Sequence, residues 1–266
     1  MPDRGTALVR KPSSRLAEGI VTHLSPTTVD VALARSQHDA YAAALSGAGW
    51  TLRQVTTADE CPDSAFVEDT VVVCDDLAIL TRPGAAERRP EIVGTERAVR
   101  EIGLDVVRVE APGRLDGGDV LQVGATVYVG LGGRTDLEGV RQLSAHLARV
   151  GRTVVTVPLG NVLHLKSAVT ALPDGTLLAL PDLVDVSVFP ALHPVDEEAG
   201  CHVVPLGDDQ VLMAASAPRT AGLLADWGYA PVVVDIGEYE KLEGCVTCLS
   251  VLVPAHDEIV AAEGRQ

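Results

Sequence analysis

Short runs of Val, Leu and Ile, often alternating with polar residues, recur along the chain and are separated by stretches with an apolar residue every three to four positions. The first pattern has the period of a strand, the second that of an amphipathic helix. Strands are predicted over 6–10, 51–56, 105–110, 153–158 and 230–235, each leading towards a hairpin over 65–80, 118–130, 168–180, 201–214 and 246–262. Turn signals at Asp75-Asp76, Gly124-Ala125, Pro173-Asp174-Gly175 and Gly207-Asp208-Asp209 support the hairpins. Helices fit over 29–46, 92–102, 135–150 and 217–227, stopped by Gly47, Gly103, Gly151 and Gly228. The third is the best marked: Thr135 and Glu138 form a capping-box pattern, and Val140, Leu143, Leu147 and Val150 share a face. The fourth unit has the weakest pattern and receives no helix.

The strand–hairpin–helix unit recurs about five times, at roughly 45 to 55 residues per unit, a period that suggests a closed radial array whose members cover each other's open edges. No Pro/Ser/Gly-rich linker interrupts the series, so 1–266 is read as one α/β domain. A ring of this kind gathers its loops around one central channel.

Composition narrows the partners. The 266 residues are 47% hydrophobic but only 3% aromatic, so the core must be built from branched aliphatic side chains. With 37 acidic against 21 basic residues the net charge is −16, which repels a polyanion over most of the surface and makes nucleic acid a poor partner. The same field attracts a small cation. The beginning of the chain, Met1-Pro2-Asp3-Arg4-Gly5-Thr6, shows no basic segment followed by an apolar stretch, and no run approaches a membrane span. Five cysteines, Cys61, Cys74, Cys201, Cys245 and Cys248, are an odd count that suits free thiols in a reducing cytoplasm.

Several of the remaining polar residues stand at the edges of apolar runs. Cys248 lies in Leu242-Glu243-Gly244-Cys245-Val246-Thr247-Cys248-Leu249-Ser250, between a Gly-containing turn and a strand-like segment. A thiol there is either a buried core residue or a nucleophile, and with Cys245 it also reads as a redox or zinc pair. Zinc needs two further ligands that no second Cys-x-x-Cys or His-x-x-x-His supplies. Thioredoxin-like chemistry places the first Cys at a helix N-terminus, whereas a strand pattern follows this pair; a regulatory disulfide stays open. His164, in Val162-Leu163-His164-Leu165-Lys166-Ser167, is a core histidine or, beside a thiolate, a proton shuttle. Asp116 and Asp119 flank two glycines in Leu115-Asp116-Gly117-Gly118-Asp119, where Asp116 can orient the imidazole and Asp119 can be structural. Glu68 and Asp69 follow Asp63 and precede a buried run, a costly place for two anions unless they are paired. On a regular strand they point to opposite faces, so both serve one ligand only if the backbone twists there. Arg88 and Arg134 occupy loops at similar points of two units; each is a surface charge or a carboxylate clamp.

Together Pro62-Asp63-Ser64-Ala65-Phe66-Val67-Glu68-Asp69, Thr81-Arg82-Pro83-Gly84, Leu115-Asp116-Gly117-Gly118-Asp119, Leu163-His164-Leu165-Lys166 and Thr247-Cys248 resemble the dimethylargininase family of the guanidino-modifying enzymes, over nearly the whole chain. The resemblance implies a five-bladed α/β propeller and hydrolysis of asymmetric dimethylarginine or monomethylarginine to citrulline and a methylamine. It assigns Cys248 as nucleophile, His164 as general acid/base and Asp116 as its carboxylate partner. Asp63, Glu68, Asp69, Arg88 and Arg134 match substrate-binding positions, with Ile20 and Leu242 as backbone or lid contacts. No metal or organic cofactor is implied, and the expected assembly is a monomer or homodimer. Two other readings compete: an arginine deiminase-like hydrolase of unmethylated arginine, disfavoured by the short chain, and a thiol-based redox or metal-responsive binding protein built on Cys245 and Cys248.

Overall fold

The Val-rich runs pair into five three-stranded sheets that share one plan: two antiparallel strands, then a third running parallel to the second. Val71–Cys74, Leu77–Leu80 and Asp105–Arg108 make the first blade, and Val120–Val123, Thr126–Leu131 and Thr153–Pro158 the second. Val169–Ala171, Leu177–Ala179 and the two-residue strand His193–Pro194 make the third, followed by Val204–Gly207, Gln210–Ala214 and Ala230–Val234 in the fourth. The fifth joins the two ends of the chain, Ser250–Pro254 pairing antiparallel with Gly5–Val9, which pairs in parallel with Thr51–Gln54. This computed structural model describes residues 4–255, a five-bladed α/β propeller.

Two sequence expectations change. Four strands read as leading into the next hairpin instead close the preceding blade, because a parallel partner must be reached by a crossover and the helices Val31–Gly47, Ile92–Glu101, Leu137–Leu147 and Pro218–Asp226 provide it. Of the hairpin expected over 246–262, the described strand Ser250–Pro254 pairs with Gly5–Val9, and the part beyond residue 255 lies outside the described residues. The third blade has only the 3-10 turn Val186–Val188 in its crossover.

Helix starts follow side-chain chemistry. Asp30 accepts from the N–H groups of Ala32 and Leu33, and Asp136 from that of Gly139. Asp136, not Thr135, is therefore the cap of the third helix, and the Thr135 hydroxyl is free to donate to Asp119 at 2.5 Å. Val140, Leu143 and Leu147 are buried beneath that helix, where Leu→Ala costs about 2 to 5 kcal/mol. No helix among the described residues is long and apolar enough to cross a membrane.

The first strands of all five blades face a central channel, which widens at one end into a cavity of about 1660 Å³. At the other end five tight turns lead into those strands. There Tyr41, from the long helix Val31–Gly47, donates its hydroxyl to the carbonyl of Val246 at 2.8 Å and anchors the turn that carries Cys248.

Candidate active site

Those five turns are the 3-10 segments Pro62–Ala65 with Val67–Thr70, then Gly117–Asp119, Leu165–Ser167, Glu198–Cys201 and Val246–Leu249. They carry Asp63, Glu68 and Asp69; Asp116; His164; Cys201; and Cys248. Cys248, His164, Asp63, Asp69, Arg88, Arg134, Ile20 and Leu242 border one small cavity. Asp116 lies behind His164, fully buried. Glu68 points elsewhere, and the fourth turn, with Cys201 and His202, does not reach this cavity.

His164 is held from both sides. Its Nε2 is 3.0 Å from Asp116 Oδ2, and its Nδ1 is 3.8 Å from Asp69 Oδ1. Burial lowers the pKa of the imidazole, but Asp69, the hydrogen bond to Asp116 and the charge of Asp119 together outweigh it and raise the value to about 9. The ring is therefore cationic at neutral pH. Asp69, in turn, is opposed by burial yet held down to about 2 by His164, Arg88 and the N–H of Gly118. Asp119 is pushed up to about 6 by burial; it accepts from Thr135 and from the N–H of Leu165, bracing the turn after His164.

Gly117 and Gly118 are needed for close approach, not for a left-handed turn, since neither has a positive φ. A Cβ on Gly117 would lie 2.0 Å from the Glu68 carbonyl, and one on Gly118 would lie 2.6 Å from His164 Nδ1. Any side chain there would push the imidazole away from its carboxylates.

Cys248 is 6% exposed, and its sulfur lies 3.2 Å from that of Cys245. The Cys245 thiol is held well below its ordinary value by the hydrogen bond from Cys248, against burial, while the same bond together with burial pushes Cys248 well above. The hydrogen bond thus favours the proton on Cys248 and negative charge on Cys245.

Arg88 borders the cavity but is anchored by Asp69 and Glu91 and by the carbonyls of Asp63 and Phe66. Arg134 is less committed, 3.7 Å from Asp116 and 3.4 Å from the Thr22 hydroxyl. The Asp63 carboxylate, its pKa raised by burial, accepts from the N–H of Ile20 at 3.1 Å. Glu243 accepts from the N–H groups of Thr22, His23 and Leu24, while His23 Nδ1 lies 2.9 Å from Asn161. The segment around Ile20 is thus strapped over the cavity. Glu68 faces the channel axis, accepting from Lys166 at 2.5 Å and from Thr247 at 3.0 Å; burial pushes it up to about 7. Because Glu68 and Asp69 occupy a 3-10 turn, the two adjacent acids diverge, one to the cavity and one to the axis.

Phe66, Leu163, Glu243 and Gly244 also border the cavity, and none was singled out from sequence. Glu243 stands in the left-handed region, φ 62°, which no local residue pattern announces. Donor atoms of Asp69, Asp116 and His164 lie within 4.8 Å of one another, close enough to hold a cation. Their oxygens are already taken by Arg88, the N–H of Gly118, the N–H of Gly84 and His164 itself. The cluster is an acid–imidazole network. What the cavity offers is a thiol, a charged imidazole, three carboxylates and two guanidinium groups around a space with apolar walls.

Comparison with known proteins gives a consistent picture. The sequence profile of the family described as arginine deiminase matches residues 59–206. The chain is 60% identical over 252 residues to N(G),N(G)-dimethylarginine dimethylaminohydrolase of Streptomyces coelicolor, covering 94% of this chain and 97% of that one. The fold is similar to a dimethylarginine dimethylaminohydrolase histidine-to-glycine variant solved as an adduct with S-methyl-L-thiocitrulline, with TM-score 0.87, 33% identity, and coverage of 93% of this chain and 99% of the other. A cysteine-to-serine variant of the Pseudomonas aeruginosa enzyme, complexed with citrulline, is similar at TM-score 0.84 and 33% identity, covering 93% and 98%.

Proposed function

The chain belongs to the dimethylarginine dimethylaminohydrolase family, and on that premise we propose that it hydrolyses N-omega-methylated arginines to citrulline and a methylamine. The observation that carries the reading is the convergence of Cys248, His164, Asp63 and Asp69 on one small cavity. A planar cation fits between carboxylates whose charge it neutralises, and Phe66, Leu163 and Leu242 supply apolar surface for its methyl groups and methylene chain. Arg134 and Arg88 provide charge for the α-carboxylate at the far end.

In the proposed reaction the bound guanidinium draws negative charge onto Cys248, whose proton passes to Cys245 across 3.2 Å. The thiolate adds to the central carbon. His164, already protonated, delivers its proton to the departing amine, which leaves a covalent thiouronium. The imidazole, now neutral, takes a proton from water as it attacks, and collapse of the second adduct releases citrulline and Cys248. Asp116 keeps the ring oriented through both transfers. All these groups come from one chain, so a monomer or each half of a homodimer carries a full set. Five free thiols, with no disulfide among them, fit a cytoplasmic location.

The match to the arginine deiminase profile favours one second reading, hydrolysis of unmethylated arginine. Incubating the protein with asymmetric dimethylarginine and, separately, with arginine, then measuring citrulline, dimethylamine and ammonia, separates the two. Citrulline with equimolar dimethylamine is expected. Faster ammonia release from arginine would transfer the assignment to the second reading, and no citrulline from either substrate would remove both.

A further inference from the structure

Cys245 stands beside Cys248 in a geometry that suits a second reaction besides receiving its proton during the proposed hydrolysis. The N–H of Cys248 donates to the carbonyl of Cys245 at 3.1 Å, closing a tight turn that brings the two Cα atoms within about 7 Å. Disulfides need a Cα separation of about 4.4 to 6.8 Å and an S–S bond of about 2 Å. From 3.2 Å the sulfurs need only a small side-chain rotation to bond. The backbone N–H of Cys245 also donates to Cys248 Sγ at 3.4 Å, which favours negative charge or oxygen on that sulfur. The other cysteines are placed differently: Cys61 and Cys201 point at backbone carbonyls, and Cys74 lies against Arg152.

Access assigns the order of events. Cys248 borders the cavity, whereas Cys245 is 3% exposed and does not border it. A small oxidant entering the cavity meets Cys248 first. Behind Cys245 lies His202, whose Nε2 is 3.0 Å from the carbonyl of Ser167. Burial opposes charge on that imidazole, but the sulfurs of Cys201 and Cys245 hold it well above the ordinary histidine value. The imidazole of His202 favours negative charge on the Cys245 sulfur, while Cys248 is the one that borders the cavity.

We propose that Cys245 is a resolving thiol, forming a reversible Cys245–Cys248 disulfide after a hydroperoxide oxidises Cys248, so that turnover stops and the nucleophile is spared further oxidation. In the first step Cys248 passes its proton to Cys245, and the resulting thiolate attacks the distal peroxide oxygen. The S–O bond forms, the O–O bond breaks, the sulfur gives up two electrons, and hydroxide or alkoxide leaves and is protonated. In the second, Cys245 sulfur attacks Cys248 sulfur; the S–S bond forms, the S–O bond breaks, and the hydroxyl departs as water with the Cys245 proton. A dithiol reverses the result by supplying two electrons and two protons. The proposal takes Cys248 as the nucleophile of the proposed hydrolysis, but its test reads a covalent bond and not turnover alone, so either can fail without the other.

The test treats the full chain with hydrogen peroxide, blocks free thiols with iodoacetamide and maps the tryptic peptide that begins after Lys241, which carries both cysteines. The expected peptide is two hydrogens lighter than the reduced form and unlabelled, and dithiothreitol restores activity. In Cys245→Ser, Cys248 is expected to proceed to sulfinic acid, with the fraction of its own untreated activity recovered by dithiothreitol at least ~10-fold below that of the unmodified chain. Equal recovery in the two proteins overturns the proposal, as does sulfinic acid on Cys248 of the unmodified chain with no Cys245–Cys248 disulfide. If Cys245→Ser does not fold, the peptide map of the unmodified chain decides alone.

Discussion

The central channel has two unlike ends. At one, the lead-in turns bring His164, Asp69, Asp116 and Cys248 together with no more than 6% exposure for any of them. At the other, the same five inner strands open into the cavity of about 1660 Å³, edged by turns such as Asp75, Gly124, Asp174 and Asp208. Both ends are polar and carry acidic groups. Between them stands a partition of Glu68, Lys166 and Thr247. What separates the ends is access of water: at the closed end burial makes each charge depend on its neighbours, moving His164 up to about 9 and Asp69 down to about 2. Reactivity here comes from closure more than from the residue types the ring presents.

The sharpest way to break this comparison is Cys248→Ser, which is expected to lower kcat by about 10⁴-fold or more while leaving citrulline binding measurable by calorimetry. Retained turnover would place the chemistry outside the closed end. Asp116→Asn removes the carboxylate that orients His164 and is expected to reduce kcat by roughly 10² to 10³-fold with little change in KM, read from steady-state kinetics.

Stability against pH tests the closed end through its charges. His164 is raised from its ordinary 6.5 to about 9, so its contribution is complete below 6.5 and disappears as pH rises through 9. Glu68, raised from 4.5 to about 7, acts with the same sign between those values, whereas the contribution of Asp69, lowered from 3.8 to about 2, is lost as pH falls through that interval. Thermal melts should therefore show greatest stability in mildly acid solution, with a decline of order 3 kcal/mol from His164 above neutrality. His164→Gln should flatten that alkaline decline; an unchanged slope means that the imidazole is not held as a cation.

The partition gives a smaller effect. Lys166→Met strands Glu68, but Glu68 can take up a proton at neutral pH, which limits the cost to about 2 kcal/mol and makes it larger at pH 8 than at pH 6. Smallest of all is Gln122→Ala at the open mouth, where the side chain is exposed and bonds only the Val73 carbonyl. Urea melts should move by no more than about 0.5 kcal/mol, with kcat unaffected.

Much of the ring is visible in the sequence because strand and helix periods are local. Thr153–Pro158 is read from its Val-rich run with the same bounds that the structure shows. The pairing partner is not local: whether that strand precedes one hairpin or completes another is decided by a crossover of more than twenty residues, and the apolar pattern is the same in both cases. The cap of the third helix shows a finer conflict, since Thr135 and Asp136 both suit the position and tertiary contact with Asp119 claims the threonine. In the site, polar residues beside apolar runs are conspicuous, which is why Asp116, His164 and Cys248 stand out. Wall residues carry no such mark. Phe66 and Leu163 look like any core residue until the fold turns them towards the cavity. Glu68 and Asp69 are inseparable by sequence, and only the 3-10 turn sends them to different places.

The fifth blade has one further consequence. Its inner strand, Ser250–Pro254, comes after every other described element, yet its partner Gly5–Val9 comes before them all. During synthesis four blades can form while the thiol-bearing turn has yet to leave the ribosome, and the first strand must wait for a mate made last. On the proposed assignment, Cys248 therefore joins His164 at the cavity only when the circle shuts, so a stalled, partly made chain carries an incomplete site.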